Sequence, residues 1–171
     1  MDDLPQLGLY ADVTWYISTP PREWFSAIDV ESNDLLLSCV AAVLQLVTPE
    51  WQSNRPNDSV PIRAIEAALN YAENPSRNIK KHVSTLAKGC SSSRRKSLGY
   101  EHRIAEAARA FANASVAENQ DRTVSEIAEA LSKTEEHILY KHSIKAEYGK
   151  EAETRQRMLE AFVNQLRTLN G

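Results

Sequence analysis

Apolar positions recur at helical rather than strand spacing along most of this chain. From Asn33 to Val47, the residues Leu35, Leu36, Leu37, Val40, Ala41, Val43, Leu44 and Val47 leave almost no polar face. A helix that is apolar all round belongs at the centre of a core. A buried helix is therefore expected over 33–47, capped by Ser32 or Asn33 and stopped by Pro49, with Trp51 leading into a polar loop over 52–59. A second helix should start at Pro61, a residue suited to a first helical turn, with Ile62, Ile65, Leu69 and Ala72 inward. A third should begin near Pro75-Ser76 and carry Ile79, Val83 and Leu86.

The stretch Gly89 to Ser97 holds three consecutive serines, a glycine and the basic run Arg94-Arg95-Lys96. Such residues bury little, so 88–98 reads as a mobile, exposed loop. A fourth helix is expected over 100–117, with Ile104, Ala107, Ala108, Phe111 and Ser115 inward. Seven alanines between Ala105 and Ala117 imply close approach of its neighbours. A fifth opens with the capping box Thr123-x-x-Glu126 and continues through Ile127, Leu131 and Ile138, with a break near Ser132. A sixth covers 150–169, with Met158, Phe162, Leu166 and Leu169 inward and Glu153 paired with Arg157 across one turn.

The first 31 residues follow no helical period. Tyr10–Ile17 has the look of a short strand ended by Pro20-Pro21, and Trp15, Tyr16, Trp24 and Phe25 are large packing anchors. The pattern as a whole predicts an all-α, single-domain bundle over 1–171. It has about six helices and an irregular, aromatic-rich N-terminal arm over 1–31, packed on the bundle. No repeat of fixed period and no long linker interrupts it.

Composition narrows this picture. With 171 residues and 42% apolar content, the chain can bury about 70% of its unfolded surface without a disulfide or metal staple. No proline follows Pro75, which permits long helices in the second half. The net charge of −3 disfavours nucleic acid and anionic membrane as partners, since phosphate binding needs a local positive field. Cys39 in an apolar run and Cys90 among serines do not form a secreted disulfide framework. The acidic start, Met1-Asp2-Asp3-Leu4-Pro5, lacks a signal-peptide core. The longest apolar run, broken by Ser38 and Gln45, is too short to cross a bilayer. A cytoplasmic protein is the expectation.

Candidate chemistry is sparse. His137 and His142 stand five apart, not the three or four that aligns metal ligands on a helix face. Glu135 and Glu136 are the only acids placed to join them, and His82 and His102 are isolated. No Gly-x-Ser-x-Gly, glycine-rich phosphate loop or cysteine beside a base is present. Glu135-Glu136 reads as a solvated pair rather than a catalytic one. No catalytic, cofactor or metal residue is expected, and no partner-binding residue can be named. The region around Arg94-Arg95-Lys96, with Lys88, Arg103 and Arg109, is the most positive, and it serves equally as a phosphate contact or a solvated loop.

Residues 126–138 resemble a helix-turn-helix, with Ile127, Ala128, Leu131, Thr134 and Ile138 at the packing positions. Ser132 stands where glycine is usual, Lys133 where an apolar turn residue is usual, and Glu135-Glu136 would meet the groove. A capped amphipathic helix with a polar interruption accounts for the same residues.

The stretch Val60-Pro61-Ile62-Arg63-Ala64-Ile65-Glu66-Ala67-Ala68-Leu69-Asn70-Tyr71-Ala72 resembles a signature of a helical family of immunity proteins in bacterial polymorphic-toxin systems. Trp51 and Asn57-Asp58 upstream, the alanine-rich segment Ala105–Ala117 and, more weakly, Glu153–Leu159 extend the resemblance, which lies mainly in 60–119. It departs from the family in its spaced Pro61-Ile62-Arg63 and in carrying only His102 in the middle region. The resemblance implies a non-enzymatic protein that neutralises a toxin by binding it. The acidic net charge would suit a basic toxin such as a nuclease. The alternative is a DNA-binding regulator using the helix-turn-helix-like segment at 123–143. A third reading is an enzyme whose site is a pocket between helices, marked by clustered, perturbed titratable groups. Self-association remains open in all three.

Overall fold

The computed structural model describes residues 3–30, 32–97 and 99–171. Met1 and Asp2 of the expected arm, Glu31, and Leu98 of the expected loop lie outside them. The described residues form eight α-helices and two 3-10 turns, with no strand beyond an isolated antiparallel bridge between Leu9 and Ile28. The helices are α1 Val13–Ser18, α2 Asn33–Leu44, α3 Thr48–Asn54, α4 Val60–Glu73, α5 Arg77–Lys96, α6 His102–Ser115, α7 Gln120–Ile144 and α8 Glu151–Asn170.

The all-α class expected from the apolar spacing is observed. So is the burial of α2, where Leu36, Val40 and Leu44 are at most 4% exposed. Ser32 caps it, accepting from the Leu35 N–H. Pro49, expected to end this helix, instead begins the next. It sits in the first turn of α3, where a missing N–H costs nothing and φ is already helical. Residues 52–54, expected in a loop, therefore belong to α3, which meets α2 at 51°. No single described helix is long and apolar enough to cross a membrane.

The expected loop at 88–98 is the second half of a helix. α5 runs without interruption to Lys96 and buries Cys90 and Ser93. Gly89 marks a close approach rather than a turn, since a Cβ there would lie 2.9 Å from Cγ1 of Val60 on α4. The three cations Arg94, Arg95 and Lys96 fill the last turn, where the helix dipole favours positive charge. Both cysteines are free and buried, and burial pushes each thiol up to about 12.

α6 is the hub. It packs against α2, α4, α5 and α7, and it buries Ala105, Ala107, Ala108, Ala110, Ala112 and Ala114 around Ile104 and Phe111. Side chains that stop at Cβ let four neighbours come close, as the alanine count implies. Ser115, expected inward, is only half-buried.

The N-terminal segment is built of short helical pieces: a 3-10 turn at Leu4–Leu7, α1, and a 3-10 turn at Pro21–Ser26. The strand expected over 10–17 is absent because Asp12 caps α1, accepting from the Trp15 N–H at 2.7 Å. Tyr16 and Trp24 are fully buried and meet edge to face. The Trp24 indole N–H donates to the carbonyl of Tyr16 and the Tyr16 hydroxyl to that of Ala27. Gly8, at φ +80, is needed because a Cβ there would run into the Asp29 carbonyl.

Candidate functional site

α7 is one helix of 25 residues. Asn119 caps it, accepting from the Arg122 N–H at 2.9 Å, so the helix begins a turn before the expected Thr123 box. It passes through Ser132 without a break, and the helix-turn-helix reading of 123–143 fails on this point: no turn separates two helices. Its supposed recognition residues face neighbours. Thr134 is fully buried and donates to the Ala130 carbonyl. Glu135, expected to be solvated, is 8% exposed and held by Arg155 of α8 at 2.6 Å. The Glu136 carboxylate pairs with Lys133 at 3.1 Å and Arg103 at 3.6 Å. Buried Glu106 of α6 joins the same group, 2.9 Å from Arg94 and 3.9 Å from Lys133. The basic run thus contributes a structural ion pair through Arg94. Arg95 bonds Ser92 within its own helix.

The far end of α7 carries the most concentrated chemistry. Glu50 lies in the first turn of α3, where the helix dipole favours a carboxylate. His137 and Lys141, one turn apart on α7, both reach its Oε2: the His137 Nε2 at 3.0 Å and the Lys141 Nζ at 2.7 Å. The His137 ring has no exposed area. Its Nδ1 lies 3.4 Å from the Tyr100 carbonyl oxygen, and its ring packs against that of Tyr100. Burial opposes the charge on Glu50, but hydrogen bonds from Lys141, His137 and Tyr100 outweigh it and hold the carboxyl below its ordinary range. The same bond to Glu50 raises the Tyr100 hydroxyl.

Beside this triad lies a cavity of about 180 Å³. Leu46, Val47 and Ile138 form its apolar walls, and Lys141, His142, Lys145 and Arg157 line it with Glu50 and His137. His142 is bonded through Nδ1 to Glu147 at 2.6 Å. Among the described residues no group of three or more His, Cys, Asp or Glu is placed to hold a metal ion. His137 and His142 each find one carboxylate, Glu50 and Glu147 respectively. Sequence spacing could not show the first, because Glu50 and His137 are 87 positions apart.

α7 ends in a Schellman arrangement. The Glu147 N–H returns to the His142 carbonyl and the Ala146 N–H to that of Ser143, with Ala146 at φ +55. This position usually takes glycine. Around it stand three large exposed apolar side chains: Tyr140 at 42%, Ile144 at 58% and Tyr148 at 78%. Tyr140 stacks on Tyr100, and the Arg103 guanidinium lies 4.9 Å from the Tyr140 ring centre.

Comparison of the chain with protein-family models, with curated proteins and with solved structures gives no match.

Proposed function

We propose that this chain is a non-enzymatic protein-binding module, an immunity-type protein that neutralises a toxin by occupying it. The observation that carries the reading is the exposed patch of Tyr140, Ile144 and Tyr148 at the end of α7. Tyrosine and arginine are, with tryptophan, the residue types that dominate binding energy at protein interfaces, and the Arg103 guanidinium lies over the Tyr140 ring. A non-glycine residue held at positive φ is strained, and Ala146 sits in the turn between Ile144 and Tyr148. The resemblance of 60–72 to immunity proteins supports the same reading. Arg103 and Lys150 stand around the patch together with Glu136, Glu147 and Glu151, so the patch selects its partner by shape and aromatic contact rather than by charge.

The test is survival and direct binding. Cells expressing a toxin domain taken from the source genome should grow when the chain is co-produced, and the purified pair should form a stoichiometric complex. Replacing Ile144 and Tyr148 with alanine should weaken the complex by at least about tenfold, or about 1.4 kcal/mol, and abolish protection. Absence of both complex and protection overturns the function. Full protection by the Ile144→Ala/Tyr148→Ala variant overturns the assignment of the surface.

A further inference from the structure

We propose that the cavity beside Glu50 and His137 is a binding site for a small phosphate-bearing anion. The inference does not rest on the protein-binding reading. Three permanent cations from two elements, Lys141 and Lys145 at the end of α7 and Arg157 on α8, line one cavity whose only carboxylate is Glu50. The charge of Glu50 is already matched by Lys141 at 2.7 Å, a contact that fixes the lysine at the cavity wall. Lys145 and Arg157 enter no ion pair and no side-chain hydrogen bond among the described residues. The nearby carboxylates make their bonds to other groups, Glu147 to His142 and Glu153 to Lys150, and Lys145 and Arg157 act on them only through longer-range charge. The site therefore has an excess of positive charge and two cations with unused donors.

Two of the carbonyls at the end of α7 are occupied. The His142 carbonyl accepts from the Lys145 and Glu147 N–H groups, and the Ser143 carbonyl from Ala146. An arginine fork offers two parallel donors matched to phosphate oxygens, and lysines add point charge. The volume of about 180 Å³ is below the usual range for drug-sized ligands. It suits a phosphate group with a short substituent against Leu46, Val47 and Ile138, not a nucleotide.

Calorimetric titration of the full chain with inorganic phosphate and, separately, methyl phosphate tests this, with chloride at matched ionic strength as the reference. Saturable binding of phosphate above the chloride reference is expected. Tighter binding of methyl phosphate would identify a monoester as the ligand class, and equal binding the free ion; either supports the site. Lys145→Ala and Arg157→Ala remove exposed side chains and should each weaken binding about tenfold, while Lys81→Ala on the exposed face of α5 should not. Unchanged far-ultraviolet circular dichroism confirms the fold of each variant. No saturable binding, or binding that both variants retain, overturns the proposal.

Discussion

Arg155 and Glu135 join α8 to α7 through a 2.6 Å contact, and the remaining guanidinium donors of Arg155 lie within reach of the Ile17 and Ser18 carbonyls at the end of α1. One side chain therefore ties three elements together, two of them distant in sequence. Burial raises the Glu135 carboxyl, with Arg155 pulling against it. Arg155→Ala leaves a buried carboxylate without its partner and should cost about 3 kcal/mol near neutral pH. A carboxyl with a raised folded-state pKa is favoured in its protonated form, so its penalty is relieved as pH falls through that value and grows as pH rises. The deficit of Arg155→Ala should accordingly be smaller at an acid pH than at neutral pH. Urea unfolding at both pH values checks this, and a deficit independent of pH would exclude the mechanism.

The Glu50 carboxylate gives the opposite dependence. Its folded-state pKa is held below the usual 4.5 by Lys141, His137 and Tyr100 acting against burial. Its stabilisation is complete above 4.5 and is lost as pH falls through the lowered value. Glu50→Gln should destabilise by about 2 kcal/mol at neutral pH. The gap between wild type and Glu50→Gln should close in acid, which denaturant unfolding across pH measures directly.

Ala146 occupies left-handed backbone with an exposed side chain. Glycine adopts that conformation without steric cost. Ala146→Gly should stabilise the chain by about 1 kcal/mol, raising Tm by about 2–4 °C. A lower Tm would mean that the turn is held by contacts of the Ala146 methyl.

How far the sequence could be read depended on where the deciding contacts lie. α2 was legible because its apolar residues cover every face, and that pattern has only one stable placement. α6 was legible through its alanines. Gly89 and the serines after it are turn formers by local preference, yet they continue α5. The gain comes from packing: α4 needs a missing side chain at 89, and Cys90 and Ser93 are small enough to be buried. Ser132 misled in the same way within α7. The Glu50–His137–Lys141 group was illegible because no local spacing connects α3 with α7.

The Gly89 contact supports a quantitative test. Alanine in a helix interior is about 1 kcal/mol better than glycine, but the new methyl would meet Val60 at 2.9 Å. Gly89→Ala should be neutral or destabilising in the native background and stabilising by about 1 kcal/mol where Val60 is alanine. A double-mutant cycle reads the coupling, and equal effects in both backgrounds would remove steric contact as the reason for glycine. Amide exchange at Cys90 to Ser93 should be slow, as for the middle of any buried helix.

The six buried alanines of α6 have an evolutionary consequence. A hub that touches four helices through methyl groups can accept neither a longer side chain, which would push neighbours apart, nor a glycine, which would loosen the helix. Drift in this lineage must therefore fall on the outer helices, whose charged faces tolerate exchange. A diverged descendant will keep the register of small residues over 105–114 after its surface has changed. That register, more than any charged or aromatic residue, is the trait by which kinship should be sought.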